Sequence, residues 1–177
     1  VAFNLQVDIT GGTGPFTMVY NDGTSDVTVS SYVDNENFAP AVISADNTYS
    51  LVSVTDAEGC AVASPSTNTA VVTVNNLVAG SITGDETICS GGDPTITGSV
   101  AATGDGPITY TWEVNTNIAS PSWGALSGET GATLDLTTLN EDAQYRRIAT
   151  STLNSVECTA TSNVITKSVN NLVAGSI

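Results

Sequence analysis

Three cysteines, Cys60, Cys89 and Cys158, are the side chains of this 177-residue sequence with the greatest capacity for covalent chemistry. A thiol attacks as its thiolate, which a neighbouring base or cation must favour. The sequence contains no histidine and only three Lys and Arg residues. Cys-His and Ser-His acyl transfer are therefore excluded, together with the commonest zinc ligand. A free catalytic thiol without such a partner is the minor reading, and the chain reads as non-enzymatic with no catalytic residues. Pairing is the other use of a thiol. Cys89 precedes the second expected strand of one repeat unit and Cys158 opens its last, so a Cys89–Cys158 disulfide would staple the two ends of that unit. Closing a loop of about 70 residues is worth about 4 kcal/mol in the chain-entropy model. AEGCAVAS and SVECTATS align Cys60 with Cys158, and the expected partner of Cys60 then falls upstream of residue 1, leaving it unpaired here. Disulfides in small repeated modules imply an oxidising, extracellular setting.

Carboxylates are the next candidates, because 18 Asp and Glu against three Lys and Arg give a net charge of -15. Asp56 with Glu58, Asp85 with Glu86, and Glu141 with Asp142 are the candidate pairs for a cation site. None follows the D-x-[DN]-x-[DN]-G calcium loop. They read as solvated turn carboxylates, with no metal site and no cofactor; calcium held between modules is the sharper alternative. The acidity excludes nucleic acid and disfavours an anionic membrane surface, both of which need clustered cations. No run of 18 apolar residues is present, so no membrane-inserting helix is expected. TGGTGP joins two expected strands and opens no helix, so its glycines are turn formers rather than a phosphate loop. Adjacent Arg146 and Arg147 are expected on a strand, one facing each way.

The elements that position these residues come from a repeat. VNNLVAGSI occurs at Val74–Ile82 and again at Val169–Ile177, an offset of 95 (169 minus 74). GDGPITYTWEV from Gly104 further matches GTGPFTMVYND from Gly12 at an offset of 92, which places Trp112 opposite Tyr20. Each copy is then one structural unit. Phe3, Leu5, Val7 and Ile9 alternate with Ala or polar residues, as do Phe16, Met18 and Tyr20, the period of half-buried strands. Further strands are expected at 26–32, 38–43, 48–54 and 69–74, then at 77–83, 95–101, within GDGPITYTWEV, and at 132–138, 144–152 and 159–169. GDETICSGGDP reads as a loop, and the one helical turn expected is Leu139–Asp142. The fold class is all-β: tandem immunoglobulin-like Greek-key β-sandwich modules with essentially no helix. The expected domains are 1–75, lacking its first strand; 76–170; and 171–177, the start of a further repeat.

EDAQYRR resembles the D-x-A-x-Y-x-C stretch of immunoglobulin domains, with Tyr145 at the tyrosine corner and Arg147 where the cysteine would stand. Trp112, Tyr145 and Tyr20 are the expected core aromatics. GGTGPFTMVYNDG with TYSLVSVTDAEGC resembles the SprB-type repeats of Bacteroidetes gliding-motility adhesins. ICSGGDPTITG, ITYTWEV, SWGAL and YRRIATS are similar to the immunoglobulin/PKD-like modules that alternate with them. The resemblance implies an extracellular protein anchored at the cell surface and exported by the type IX system. Its modules would form a stalk or filament, with neighbouring repeats or other copies as partners and a surface or glycan ligand for the whole. The alternative is a carbohydrate-binding module of a secreted hydrolase, for which Trp123, in SPSWG, is the one candidate sugar-stacking ring.

Overall fold

The computed structural model describes residues 1–63, 69–172 and Gly175. The chain divides into two compact units, Val1–Val74 and Asn75–Ile177. The first contains β1 (Leu5–Gln6), β2 (Phe16–Asn21), β3 (Asp26–Tyr32), β4 (Asn37–Phe38), β5 (Asn47–Thr55), β6 (Ala61–Ala63) and β7 (Thr69–Val72). The second contains β8 (Leu77–Val78), β9 (Ser81–Thr83), β10 (Glu86–Cys89), β11 (Thr95–Val100), β12 (Thr103–Gly104), β13 (Ile108–Asn115), β14 (Gly124–Leu126), β15 (Leu134–Asp135), β16 (Ala143–Leu153), β17 (Val156–Thr161) and β18 (Ile165–Asn170). The molecule is all-β, with no helix among the described residues. The helical turn expected at Leu139–Asp142 is not formed. Leu139 instead bridges Gly92, its carbonyl accepting the Gly91 N–H at 2.8 Å, and this pairing demands extended backbone.

In the first unit the main sheet runs β3-β2-β5-β6, with β7 on the other end of β5, and a second layer consists of β1 and β4. Alternation along β2 buries Phe16, Met18 and Tyr20, which pack with Tyr32 and Tyr49. The expected strand Phe3–Ile9 pairs as a ladder only at Leu5–Gln6. Its continuation is held by side chains from the end of β3 and the turn after it. The Tyr32 hydroxyl accepts the Val7 N–H at 2.8 Å, and Asp34 Oδ1 accepts that of Ile9 at 2.7 Å. Between β2 and β3, Asp22 Oδ1 accepts the Ser25 and Thr24 N–H groups at 2.7 and 2.9 Å. Those bonds hold its carboxyl below the ordinary value of 3.8.

In the second unit β10-β18-β16-β13-β14 form one sheet, with β17 also paired to β16, while β15-β11-β9 and the pair β12-β8 lie apart from it. One core joins both sides: Ile82, Ile96, Leu134 and Leu136 meet Trp112, Tyr145 and Ile165, the arrangement of a sandwich. Trp112 is fully buried and donates from Nε1 to the Gly131 carbonyl at 2.9 Å, which satisfies its polar atom inside the core. Burial raises the Tyr145 hydroxyl pKa above 10.0; burial, then Asp22 and Tyr49, raises that of Tyr20. The segment expected as the loop GDETICSGGDP holds β10, which runs parallel to β18 from Glu86↔Lys167 to Cys89↔Asn170. The expected strand 159–169 is two strands, β17 and β18, separated at Ser162–Val164.

Strand by strand the units share a plan. β2 pairs β3 and β5, and β5 pairs β6 and β7; likewise β13 pairs β14 and β16, and β16 pairs β17 and β18. In the thinner layers Leu5↔Phe38 corresponds to Ile96↔Leu134. The second unit adds β10 along β18 and the pair β12-β8, together with β9, which pairs β11. No strand lies beside β1 at that position among the described residues.

Candidate functional site

The described residues of the repeated nonapeptide make specific backbone and side-chain contacts. Its valine closes the unit before it. Val74 N–H donates to Asp46 Oδ1 at 2.8 Å in the first unit, and Val169 N–H donates to Asp142 Oδ1 at 2.7 Å in the second. Each aspartate lies three residues before a buried tyrosine of the central strand, Tyr49 or Tyr145. Both exits are thus tied by the same charge-assisted bond.

The rest of the first copy belongs to the second unit. Asn75 Nδ2 donates to the carbonyls of Ser151 at 2.8 Å and Val156 at 2.9 Å, and its Oδ1 accepts the Ser151 hydroxyl at 2.7 Å. Asn76 donates from its backbone N–H and from Nδ2 to Asp105 Oδ2, at 2.8 and 2.9 Å. Gly80, at φ 69°, lies so close to the Val100 carbonyl oxygen that any Cβ would collide with it. Ile82 enters the core, and its N–H and C=O are both bonded to the side-chain amide of Asn163 at 2.9 Å. An asparagine amide completes both backbone bonds, as a neighbouring strand would.

All three cations lie in the second unit and are engaged there. Arg147 is 1% exposed. It donates from Nη1 to Ala132 O at 2.8 Å and from Nη2 to Val100 O at 3.0 Å, with Ala79 O at 3.5 Å and the Tyr110 ring 4.4 Å from Cζ. No carboxylate pairs with it among the described residues, and its Nε has no partner. Gly98 makes room for it, since a Cβ there would lie 2.5 Å from Nη1. The guanidinium therefore ties β16 to the opposite layer. Arg146 faces outward, its Nε 2.6 Å from Glu113 and its Cζ 4.1 Å from the Trp123 ring centroid. Lys167 is fully buried and bonds Glu86 at 2.6 Å and Thr95 O at 3.3 Å.

The remaining expected sites disperse. Cys60, Cys89 and Cys158 are free thiols, which corrects the expected Cys89–Cys158 disulfide. Cys89 pairs with Asn170, which the β16–β18 register places level with residue 140, whereas Cys158 pairs with Ser151. At about 3.3 Å per residue the two thiols stand roughly 35 Å apart along the sheet, far beyond the reach of a disulfide. Cys60 closes the β5–β6 turn, its N–H bonded to Asp56 Oδ1 at 2.8 Å. Asp56 also accepts the Glu58 N–H at 3.1 Å, and Asp85 that of Thr166 at 2.6 Å. With Asp142 on Val169 and Glu86 on Lys167, four of the six paired carboxylates bond the protein itself. No group of three or more His, Cys, Asp or Glu side chains suited to a metal ion occurs among the described residues. Trp123 is half-buried, with Arg146 against its ring. The latch role of Asp46 and Asp142 and the Asn163 clasp are what sequence reading missed. The signal for the latch was an aspartate three residues before Tyr49 and before Tyr145.

A family model described as a domain of unknown function (DUF8696) matches residues 78–171. No curated protein matches the chain.

Proposed function

The chain belongs to the DUF8696 family, whose model covers 94 residues here (171 minus 78, plus one), more than half of the 177, and on that premise we propose that it is a structural spacer. In this reading its two units are immunoglobulin-like, non-catalytic stalk modules of a large secreted adhesin at the cell surface. The observation that carries the proposal is the repeated exit: Asp46 on Val74 and Asp142 on Val169 end the two units alike, each immediately before Asn-Asn-Leu-Val-Ala-Gly-Ser-Ile. A module that leaves by the same bond, into the same segment, can be strung indefinitely, because each period repeats the last. The family match has nearly the length of the 95-residue repeat (169 minus 74), as expected of a module. Two further features agree. The cations are engaged within the second unit, so the outer surface is anionic and neighbouring stalks repel one another. The extracellular setting rests on the sequence resemblance alone, since the free thiols remove the disulfide argument.

Scattering from a chain of six consecutive periods tests the proposal. A spacer gives a radius of gyration that grows nearly in proportion to the number of periods. A value near that of one compact body of 570 residues, about 25 Å, contradicts it.

A further inference from the structure

The second unit receives the chain at one end of its main sheet and releases it at the other. On entry Asn75 bonds the Ser151 and Val156 carbonyls, at the far end of β16. On exit Asn170 ends β18, and the β16–β18 register sets it level with residue 140, ahead of the first residue of β16. The levels of residues 151 and 140 are about 35 Å apart along the strands, at 3.3 Å per residue. Tension applied through the chain therefore acts mainly along the strands of this unit rather than across them.

On that line lies a parallel pairing. β10 and β18 run in register from Glu86↔Lys167 to Cys89↔Asn170, both toward the exit. A further bond extends the ladder at each end: Thr166 N–H donates to Asp85 Oδ1 at 2.6 Å, and Ser90 N–H donates to Asn170 O at 3.2 Å. By strand alternation Thr166, Ser168 and Asn170 direct their N–H groups to β10, whereas Val169 turns the other way, to Asp142. Tension enters β10 at its first residue and leaves β18 at its last. The two strands are thus drawn past one another, and their bonds are loaded together. Strands pulled apart from one shared end give up the same kind of bonds one at a time.

A buried side chain fixes the register. Along β18 Ile165 and Lys167 face inward and are fully buried. The Lys167 ammonium crosses to Glu86 of β10 at 2.6 Å and to the Thr95 carbonyl of β11 at 3.3 Å. A slip of one residue would turn Ile165 and Lys167 to the opposite face and draw the ammonium from both bonds, a costly move for a buried charge. Upstream, β8 holds by two residue pairs and β9 by three with a register shift among them, whereas the four β10–β18 pairs are uninterrupted.

We propose that β10 and β18 are a tension clamp, pinned by Lys167, that resists extension of the second unit along the chain. The proposal rests on the spacer reading, because a stalk module is the element that tension stretches.

Single-molecule pulling tests it in two geometries: the full chain held by its two ends, and the same chain held by handles on Ala119 and Asn170. The β13–β16 and β16–β18 registers put both handles at the exit end of the sheet, so that the second geometry opens the ladders from one end. Pulled from its ends, the second unit is recognised by a gain of about 300 Å, the length of residues 75–170 at 3.3–3.6 Å each less the folded span. The expected rupture force from the ends is at least about three times that between Ala119 and Asn170. Lys167→Met keeps the length of the side chain and leaves behind only the half-exposed Glu86 carboxylate. Because an apolar residue in place of a buried charge is often neutral for stability, this variant should melt within about 4 °C of the unsubstituted chain yet lose about a third or more of the end-to-end force. Equal forces in the two geometries, or a Lys167→Met chain that ruptures at the unsubstituted chain's force, overturns the proposal. Either outcome leaves the spacer reading standing, because that is decided by the radius of gyration of the six-period chain at rest.

Discussion

Arg147→Ala is expected to destabilise the second unit by about 3–5 kcal/mol, lowering its melting temperature by roughly 15 °C or more. The change removes the guanidinium bonds to the carbonyls of Ala132 and Val100, and a hydrogen bond to a charged group contributes about 1.5–3 kcal/mol. It also opens a cavity over Tyr110, and the surrounding strands cannot collapse far, because Gly98 already brings the opposite backbone close. Removing a buried charge offsets part of this loss. Arg147→Met, which keeps most of the volume and removes the charge, should therefore cost clearly less than the alanine variant. Trp112 and Trp123 both lie in the second unit, so tryptophan fluorescence follows its melting alone. A loss below about 1 kcal/mol for Arg147→Ala would mean that the guanidinium is not the tie between the layers.

Gly80→Val has a comparable expected effect, through the backbone rather than the core. Valine at φ 69° is strained, and its Cβ would press on the Val100 and Ala101 carbonyl groups. Positive φ in a β-branched residue costs about 1–3 kcal/mol, and overpacking against backbone adds about as much again. Between β8 and β9 the strain pulls on both the Leu77↔Gly104 pairing and the Ile82 anchor. A loss of about 3 kcal/mol or more in the second unit is expected from thermal or urea melts. The same substitution in the second copy of the segment, Gly175→Val, should change that stability by less than about 0.5 kcal/mol. Equal effects at the two glycines would show that the first copy has no special place in the unit.

What could be read from the sequence follows the range of the interaction. The alternation of Phe16, Met18 and Tyr20 is local and marks one buried face, and the repeat places Trp112 beside it in plan; all of these, with Tyr145, are core residues. The strand β10 was not legible. Its turn-forming neighbours Gly84, Asp85, Ser90 and Gly91 hide four residues that pair in parallel with a strand about 80 positions away. The cysteine pairing failed for a related reason. Order along the chain says that Cys89 and Cys158 lie near strand ends, and only the register of β16 with β17 and β18 says that these are opposite ends. Arg147 was visible as a departure from the immunoglobulin pattern, but its carbonyl cage depends on Gly98 lying across the core, which no local signal encodes.

Hydrogen exchange at Ser81–Thr83 tests most directly the claim that the second half of the repeat is the opening strand of the unit that follows it. The Ile82 N–H is bonded to Asn163 Oδ1, and its flanking residues pair with β11, so these amides should exchange only when the whole second unit opens. Asn163→Ala should release the Ile82 amide selectively. Exchange of Ser81–Thr83 at the rate of an unstructured peptide in the native chain would contradict it.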